Sequence, residues 1–158
     1  MYNYGKSVIL SRNNHIKYRM IASTKNKTIT HPGGLNMLDK KVVELLNQQI
    51  NKEFYSAYLY LDFSNYYYDK GLDGFGNWYK IQAQEERDHA MLFVQYLQNN
   101  GEKIELEAIA KPGVELVSAK AVLEEGLKHE QYVTSLIHNI YDAAYSVKDF
   151  RTMQFLDW

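Results

Sequence analysis

Three stretches of the chain repeat their apolar residues at helical spacing, and a fourth begins to. From about Asp39 to Tyr67 the recurring positions are Val42, Leu45, Leu46, Ile50, Ala57 and Leu61, which predicts a long first helix. Gly71 and Gly74 then punctuate a turn. A second helix is predicted from about Asp73 to Asn99, with Trp78, Ile81, Leu92, Phe93, Tyr96 and Leu97 on its apolar side. Asn100-Gly101 is a stop signal, because both residues tolerate the left-handed cap conformation. Ser118 is the expected N-cap of a third helix that runs to about Tyr145. Its stripe is Leu123, Leu127, Val133, Ile137, Ile140, Tyr141 and Ala144. A fourth helix starts near Asp149, and the sequence stops at Trp158.

The connections predict the topology. A short first turn makes helices one and two antiparallel neighbours. Residues 101–117, with Pro112-Gly113 inside them, form a long connection. Extended at roughly 3.3 Å per residue, it reaches some 55 Å. A helix of this size is about 40 Å long. The connection can therefore cross the whole bundle and start helix three from the opposite end. The expected class is all-α, a four-helix bundle with one long crossover between helices two and three.

Composition narrows the chemistry. The chain of 158 residues has no cysteine, which excludes disulfides, zinc-thiolate sites and iron–sulfur clusters. No apolar run approaches the roughly 18 residues of a membrane span. The net charge of −1 hides an asymmetry. Residues 1–36 carry Lys6, Arg12, Lys17, Arg19, Lys25 and Lys27 and no acid. Setting these six aside leaves twelve basic residues against nineteen acids, a net of −7. An acidic body of this kind repels a phosphate backbone, so nucleic-acid binding is disfavoured, and it suits a protein that handles cations.

Acids also interrupt the apolar stripes. Glu53 sits on the stripe of helix one, Glu130 on that of helix three, and Glu86 and His89 share the face of helix two that continues through Phe93 and Tyr96. A lone Glu-x-x-His is ordinarily a solvated pair, His129 reads as a rim residue whose replacement does little, and Tyr60 reads as plain core. Three inward acids and a histidine on three helices are another matter. A buried carboxylate without a partner is costly, and a cation neutralises several at once. Glu and His three apart lie on one helical face and can meet one ion. Oxygen and imidazole donors without sulfur suit iron or manganese. The expectation is a di-metal site.

The segments Leu-Asn-Gln-Gln-Ile-Asn-Lys-Glu-Phe-Tyr-Ser-Ala-Tyr-Leu-Tyr (46–60), Ala-Gln-Glu-Glu-Arg-Asp-His-Ala (83–90) and Lys-His-Glu-Gln (128–131) resemble the bacterial-type non-haem ferritins over about residues 37–158. The resemblance implies the ferritin-like bundle and a cytoplasmic cage of twenty-four identical subunits. Such a cage oxidises Fe(II) with O2 or peroxide and stores Fe(III) mineral. It implies that Glu53, Glu86 and His89 hold the first iron, that Glu86 bridges to a second iron also bound by Glu130, and that Tyr60 is redox-active. It further implies that Glu85 contributes to an additional iron site. Arg87 stands where a haem-binding relative shows methionine, so no haem is expected. The alternatives are a rubrerythrin-like di-iron peroxidase, which generally needs a second Glu-x-x-His on helix four, or an inactive ferritin fragment.

Both ends carry expectations. Residues 1–36 lack helical periodicity and end in Gly33-Gly34-Leu35-Asn36 before Met37. They read as a disordered leader or, preferentially, as upstream DNA translated in frame, since Gly-Gly can encode a ribosome-binding sequence. The competing reading is a basic, acid-poor transit peptide. Helix four reads as truncated after about ten residues, which leaves the second iron position under-ligated and one flank of the bundle open. The expectation is that this chain alone forms no stable cage and that a family-like C-terminal segment restores one.

Overall fold

The computed structural model describes residues 37–157. The predicted leader, 1–36, lies outside the described residues. Four helices follow in order: α1 Lys40–Asp69, α2 Asp73–Asn99, α3 Ala119–Ser146 and α4 Phe150–Phe155. No strand occurs among the described residues. None of these helices is long and apolar enough to cross a membrane.

Local chemistry sets the helix ends. The Asp39 side chain caps α1 by accepting from the Lys41 N–H at 2.8 Å, and Ser118 caps α3 by accepting from Ala121 at 3.1 Å. α1, α2 and α3 all close with the same pair of backbone bonds. After α2 the Gly101 N–H donates to Gln98 and the Glu102 N–H to Leu97; after α1 Gly71 and Leu72 do the same to Tyr68 and Tyr67. This closure needs one left-handed residue, supplied by Gly71 (φ +68°) and Gly101 (φ +76°). After α3 it is supplied by Lys148, at φ 57°. α4 is shorter than expected. The Leu156 N–H is shared between Thr152 and Met153, a tightened last turn that ends the helix.

The crossover is fastened along α1. The Asn47 side chain donates to the Lys103 carbonyl and accepts from the Glu105 N–H at 2.9 Å, and one turn on Asn51 donates to the Ala108 carbonyl at 3.1 Å. Val114 and Leu116 then pack at the far end of α1, where the Tyr67 hydroxyl donates to the Ala119 carbonyl at 2.6 Å. α3 thus starts beside the end of α1 and runs back along it, parallel to α2, as the long connection predicts.

Two apolar clusters fill the interior. Val42, Leu46, Ile50, Phe93, Leu97, Ile140 and Ala144 form an aliphatic-rich end, with Met153, Phe155 and Leu156 of the α4 segment packed on it. Leu59, Tyr60, Phe63, Tyr67, Tyr79 and Val122 form an aromatic end. On α1, buried Gln49, Glu53 and Ser56 lie between the two.

The buried stripes differ from those expected. Leu61, Trp78, Ile81, Leu92, Leu123 and Leu127 are all exposed. Phe93 and Leu97 of α2 and Ile140 and Ala144 of α3 are buried as expected, but α2 also buries Gly76, Tyr79, Glu86 and Ala90, and α3 also buries Val122 and Gly126. The physical reason is that small and polar residues, Gly76, Glu86, Ala90 and Gly126, occupy several inward positions, while the large apolar Trp78, Ile81, Leu123 and Leu127 stand on the next stripe around.

Candidate metal centre

Glu53 is only 2 % exposed. Gln49, one turn earlier on the same face, donates its amide to Glu53 Oε1 at 2.8 Å. The other oxygen, Oε2, is buried and accepts no hydrogen bond. Across the helix pair stands Glu86, 6 % exposed. The His89 ring nitrogen Nδ1 lies 3.4 Å from Glu86 Oε2. One donor atom each from Glu53, Glu86 and His89 falls within 4.8 Å of the others. The Glu-x-x-His spacing thus brings carboxylate and imidazole together on one face of α2, as expected.

The electrostatics follow from burial and like charge. Burial pushes the Glu53 carboxyl up to about 8, and the Glu86 carboxylate beside it pushes in the same direction. The hydrogen-bonded Glu86 carboxylate raises the His89 imidazole, against the opposing effect of its partial burial. A cation among these groups would relieve the desolvated charge of Glu53, its repulsion from Glu86 and the unpartnered Oε2 together. The donor set is two carboxylates and an imidazole, without sulfur, and it fits iron or manganese. The residues therefore fit a metal on the geometry of this chain.

Glu130 is placed differently. It lines a cavity of about 160 Å3 with Glu53, Glu86, His89 and Thr134, so the four expected ligands do share one space. Yet Glu130 is exposed. It lies on the flank of α3 with Leu123 and Leu127, one position around from the buried stripe. Its carboxylate accepts a short hydrogen bond from the Tyr60 hydroxyl. Tyr60 is fully buried, and burial with the Glu130 charge raises its phenol far above the ordinary value.

His129 is not a rim residue. It is half-buried, its Nε2 lies 2.7 Å from Ser56 Oγ, and its ring meets that of Tyr60 edge-on at 5.8 Å. Burial lowers its imidazole, which favours the neutral ring. The inward stripe of α3 passes through His129, not Glu130, because Val122, Gly126, His129 and Val133 follow the three-and-four spacing. Gln49 and Ser56 also escape a hydrophobicity pattern. The available signal is their spacing of four and three residues from Glu53 on the same helix face.

Glu85 is not drawn into the cluster. Its charge reaches His89, but it is exposed and lines a separate groove between α1 and α2 with Phe54, Tyr58 and Arg87. Glu85 and Glu86 are adjacent on one helix, so their side chains diverge by about a quarter turn.

The comparisons with known proteins agree with this architecture. Residues 43–158 match the family model of the ferritin-like domain. The chain is 40 % identical over 122 residues to a bacterial non-heme ferritin of Campylobacter jejuni, a span covering 77 % of this chain and 73 % of that protein. It is 38 % identical over 122 residues to a bacterial non-heme ferritin of Staphylococcus saprophyticus, covering 77 % and 73 %. Among solved structures, an open-pore ferritin of the hyperthermophilic archaeon Archaeoglobus fulgidus matches with a TM-score of 0.74 and 43 % identity, over 77 % of this chain and 75 % of that one.

Proposed function

The chain belongs to the ferritin-like family, and on that premise we propose that it binds Fe(II), oxidises it to Fe(III) and stores the product as mineral. The observation that carries this reading is the unpartnered Glu53 Oε2, buried beside Glu86 and His89. A chain that merely kept the fold would gain by replacing Glu53 with an apolar residue.

Iron is the substrate and cargo. Glu53, Glu86 and His89 hold the first Fe(II); Glu86 bridges to a second position, where Glu130 is the further ligand. Carboxylate oxygens favour Fe(III) over Fe(II), so these ligands ease the loss of electrons. Two Fe(II) ions together supply two electrons, which reduce O2 to H2O2 or H2O2 to water. Tyr60, hydrogen-bonded to Glu130, is the redox-active side chain nearest the second position. Glu85 adds negative charge beside His89 and is the ligand proposed for an additional iron. The storage unit is a cytoplasmic cage of identical subunits, without haem. Relatives that are ferritins favour this reading over a rubrerythrin-like peroxidase.

The test is aerobic Fe(II) titration of the full chain and of Glu86→Ala, with oxidation followed by absorbance. Rapid oxidation by the unmodified chain and its loss in the variant are expected. Equal oxidation by both would overturn the assignment.

A further inference from the structure

The aromatic end of the bundle does more than fill space. The Tyr60 ring, whose hydroxyl reaches the candidate centre through Glu130, lies 5.6 Å from the Tyr79 ring, centroid to centroid. Tyr79 lies 4.7 Å from Trp78, edge to face. Trp78 is 51 % exposed. Rings at such separations are in or near van der Waals contact, the packing through which an electron tunnels most readily between side chains. Phe63 also touches Tyr60 and Tyr79, but a phenyl ring is far harder to oxidise. A second branch, through Tyr67, leads to Phe75 and to Tyr66, whose ring is 5.5 Å from that of Tyr67. The branch through Tyr79 reaches the surface in two ring-to-ring steps and ends on an indole, the more exposed ring, whereas the Tyr66 branch needs three.

Tyr79 carries a second sign. A β-carbon on Gly126 would stand 2.6 Å from the Tyr79 hydroxyl oxygen, so α3 keeps a glycine in its interior to admit that hydroxyl. Its hydrogen bond in return is a long one, 3.5 Å to the Val122 carbonyl. Packing alone would be served as well by phenylalanine at 79 with alanine at 126.

We propose that Tyr60, Tyr79 and Trp78 form a one-electron path from the candidate metal centre to the protein surface, with Trp78 as the terminal donor. The proposal rests on the iron-oxidising reading above. The path matters when a lone Fe(II) meets H2O2. That iron supplies one electron, and the O–O bond breaks to leave hydroxide and a hydroxyl-radical equivalent. The second electron passes along the rings from Trp78, whose indole N–H gives up its proton, and the radical equivalent becomes water. The balance is Fe(II) + H2O2 + TrpH → Fe(III) + OH− + H2O + Trp radical. Tyr60 loses its phenolic proton to Glu130 as the hole passes and regains it afterwards. A small one-electron reductant such as ascorbate then restores Trp78.

The test loads the full chain anaerobically with one Fe(II) per subunit and adds one equivalent of H2O2. Freeze-quench electron paramagnetic resonance reads the radical, peptide mass spectrometry locates oxidised side chains, and absorbance follows the iron. An indolyl radical and oxidation at Trp78 are expected, both suppressed by ascorbate. Trp78→Phe, a change at a half-exposed position, should leave iron oxidation unchanged, lose the indolyl signal and leave a longer-lived tyrosyl radical. Tyr79→Leu should lose the Trp78 oxidation; circular dichroism checks that it folds, and Trp78→Phe carries the test if it does not. Normal iron oxidation with Trp78 unmodified and the same radical in Trp78→Phe would overturn the path while sparing the metal centre. Absence of iron oxidation in every sample would overturn the metal centre and the path with it.

Discussion

Glu53 and Glu86, on α1 and α2, are buried and face each other, whereas Glu130, on α3, stands exposed and already accepts the Tyr60 hydroxyl. The first pair stores a cost. One Glu53 oxygen has no hydrogen bond, and the carboxyl is held near 8 by burial and by its neighbour. Glu130 stores no such cost, because water and a phenol satisfy it. The same residue type is thus buried and under-satisfied on one side and exposed and satisfied on the other. On the proposed reading, the tight position lies on the α1–α2 side and the α3 side completes a second one.

The comparison can be broken most forcefully at Glu86. Glu86→Ala removes the shared carboxylate, and its effect on iron affinity should exceed the roughly 10–100-fold that outer-sphere partners of a metal are worth. Binding calorimetry with Fe(II) under anaerobic conditions measures it. Glu130→Ala should cost less than Glu86→Ala in the same assay and should spare the first equivalent. Equal losses would erase the distinction between the two sides.

The stored cost should also appear without metal. Glu53 titrates near 8 in the fold against an ordinary 4.5, so the folded chain binds its proton more tightly than the unfolded one. Metal-free stability from this group is therefore fully present below about pH 4.5 and is lost as pH rises through 8, by on the order of a few kcal/mol. Glu53→Gln should flatten that slope. Thermal unfolding of metal-free wild type and variant from pH 5 to 9 reads both. Iron binding should release protons and tighten over the same range.

Two smaller tests concern α3. His129→Ala removes the hydrogen bond that ties Ser56 to α3, leaving only the Ser56 bond to the Lys52 carbonyl, and should destabilise the fold by about 0.5–1.5 kcal/mol, measured by denaturant unfolding. Lys148 holds the left-handed position after α3 that glycine holds after α1 and α2. Lys148→Gly should stabilise by about 0.5–1 kcal/mol, seen as a small rise in Tm.

The helix boundaries and the crossover were legible because caps, stop residues and apolar period are local properties. Asp73–Asn99 and the Ser118 cap coincide with their expected places. The inward faces were less legible. On α1 four of the buried positions are Gln49, Glu53, Ser56 and Ser64, and on α2 and α3 glycines Gly76 and Gly126 are buried while Trp78 and Leu127 are not. A pattern that ranks residues by hydrophobicity cannot see a face whose purpose is to hold charge and admit tyrosine rings. For the same reason Glu53, Glu86 and His89 were readable as a set, since chemistry that offends the apolar pattern stands out against it. His129 was missed because it stands beside Glu130, and only packing tells which of two neighbours turns inward.

The central claim is that the buried α1–α2 carboxylates exist to hold iron. Anomalous diffraction at the iron edge, from crystals of the full chain soaked anaerobically in Fe(II), tests it most directly. The account predicts a strong peak among Glu53, Glu86 and His89, with a second, weaker peak between Glu86 and Glu130. Iron confined to surface carboxylates, with no density beside Glu53, would contradict it.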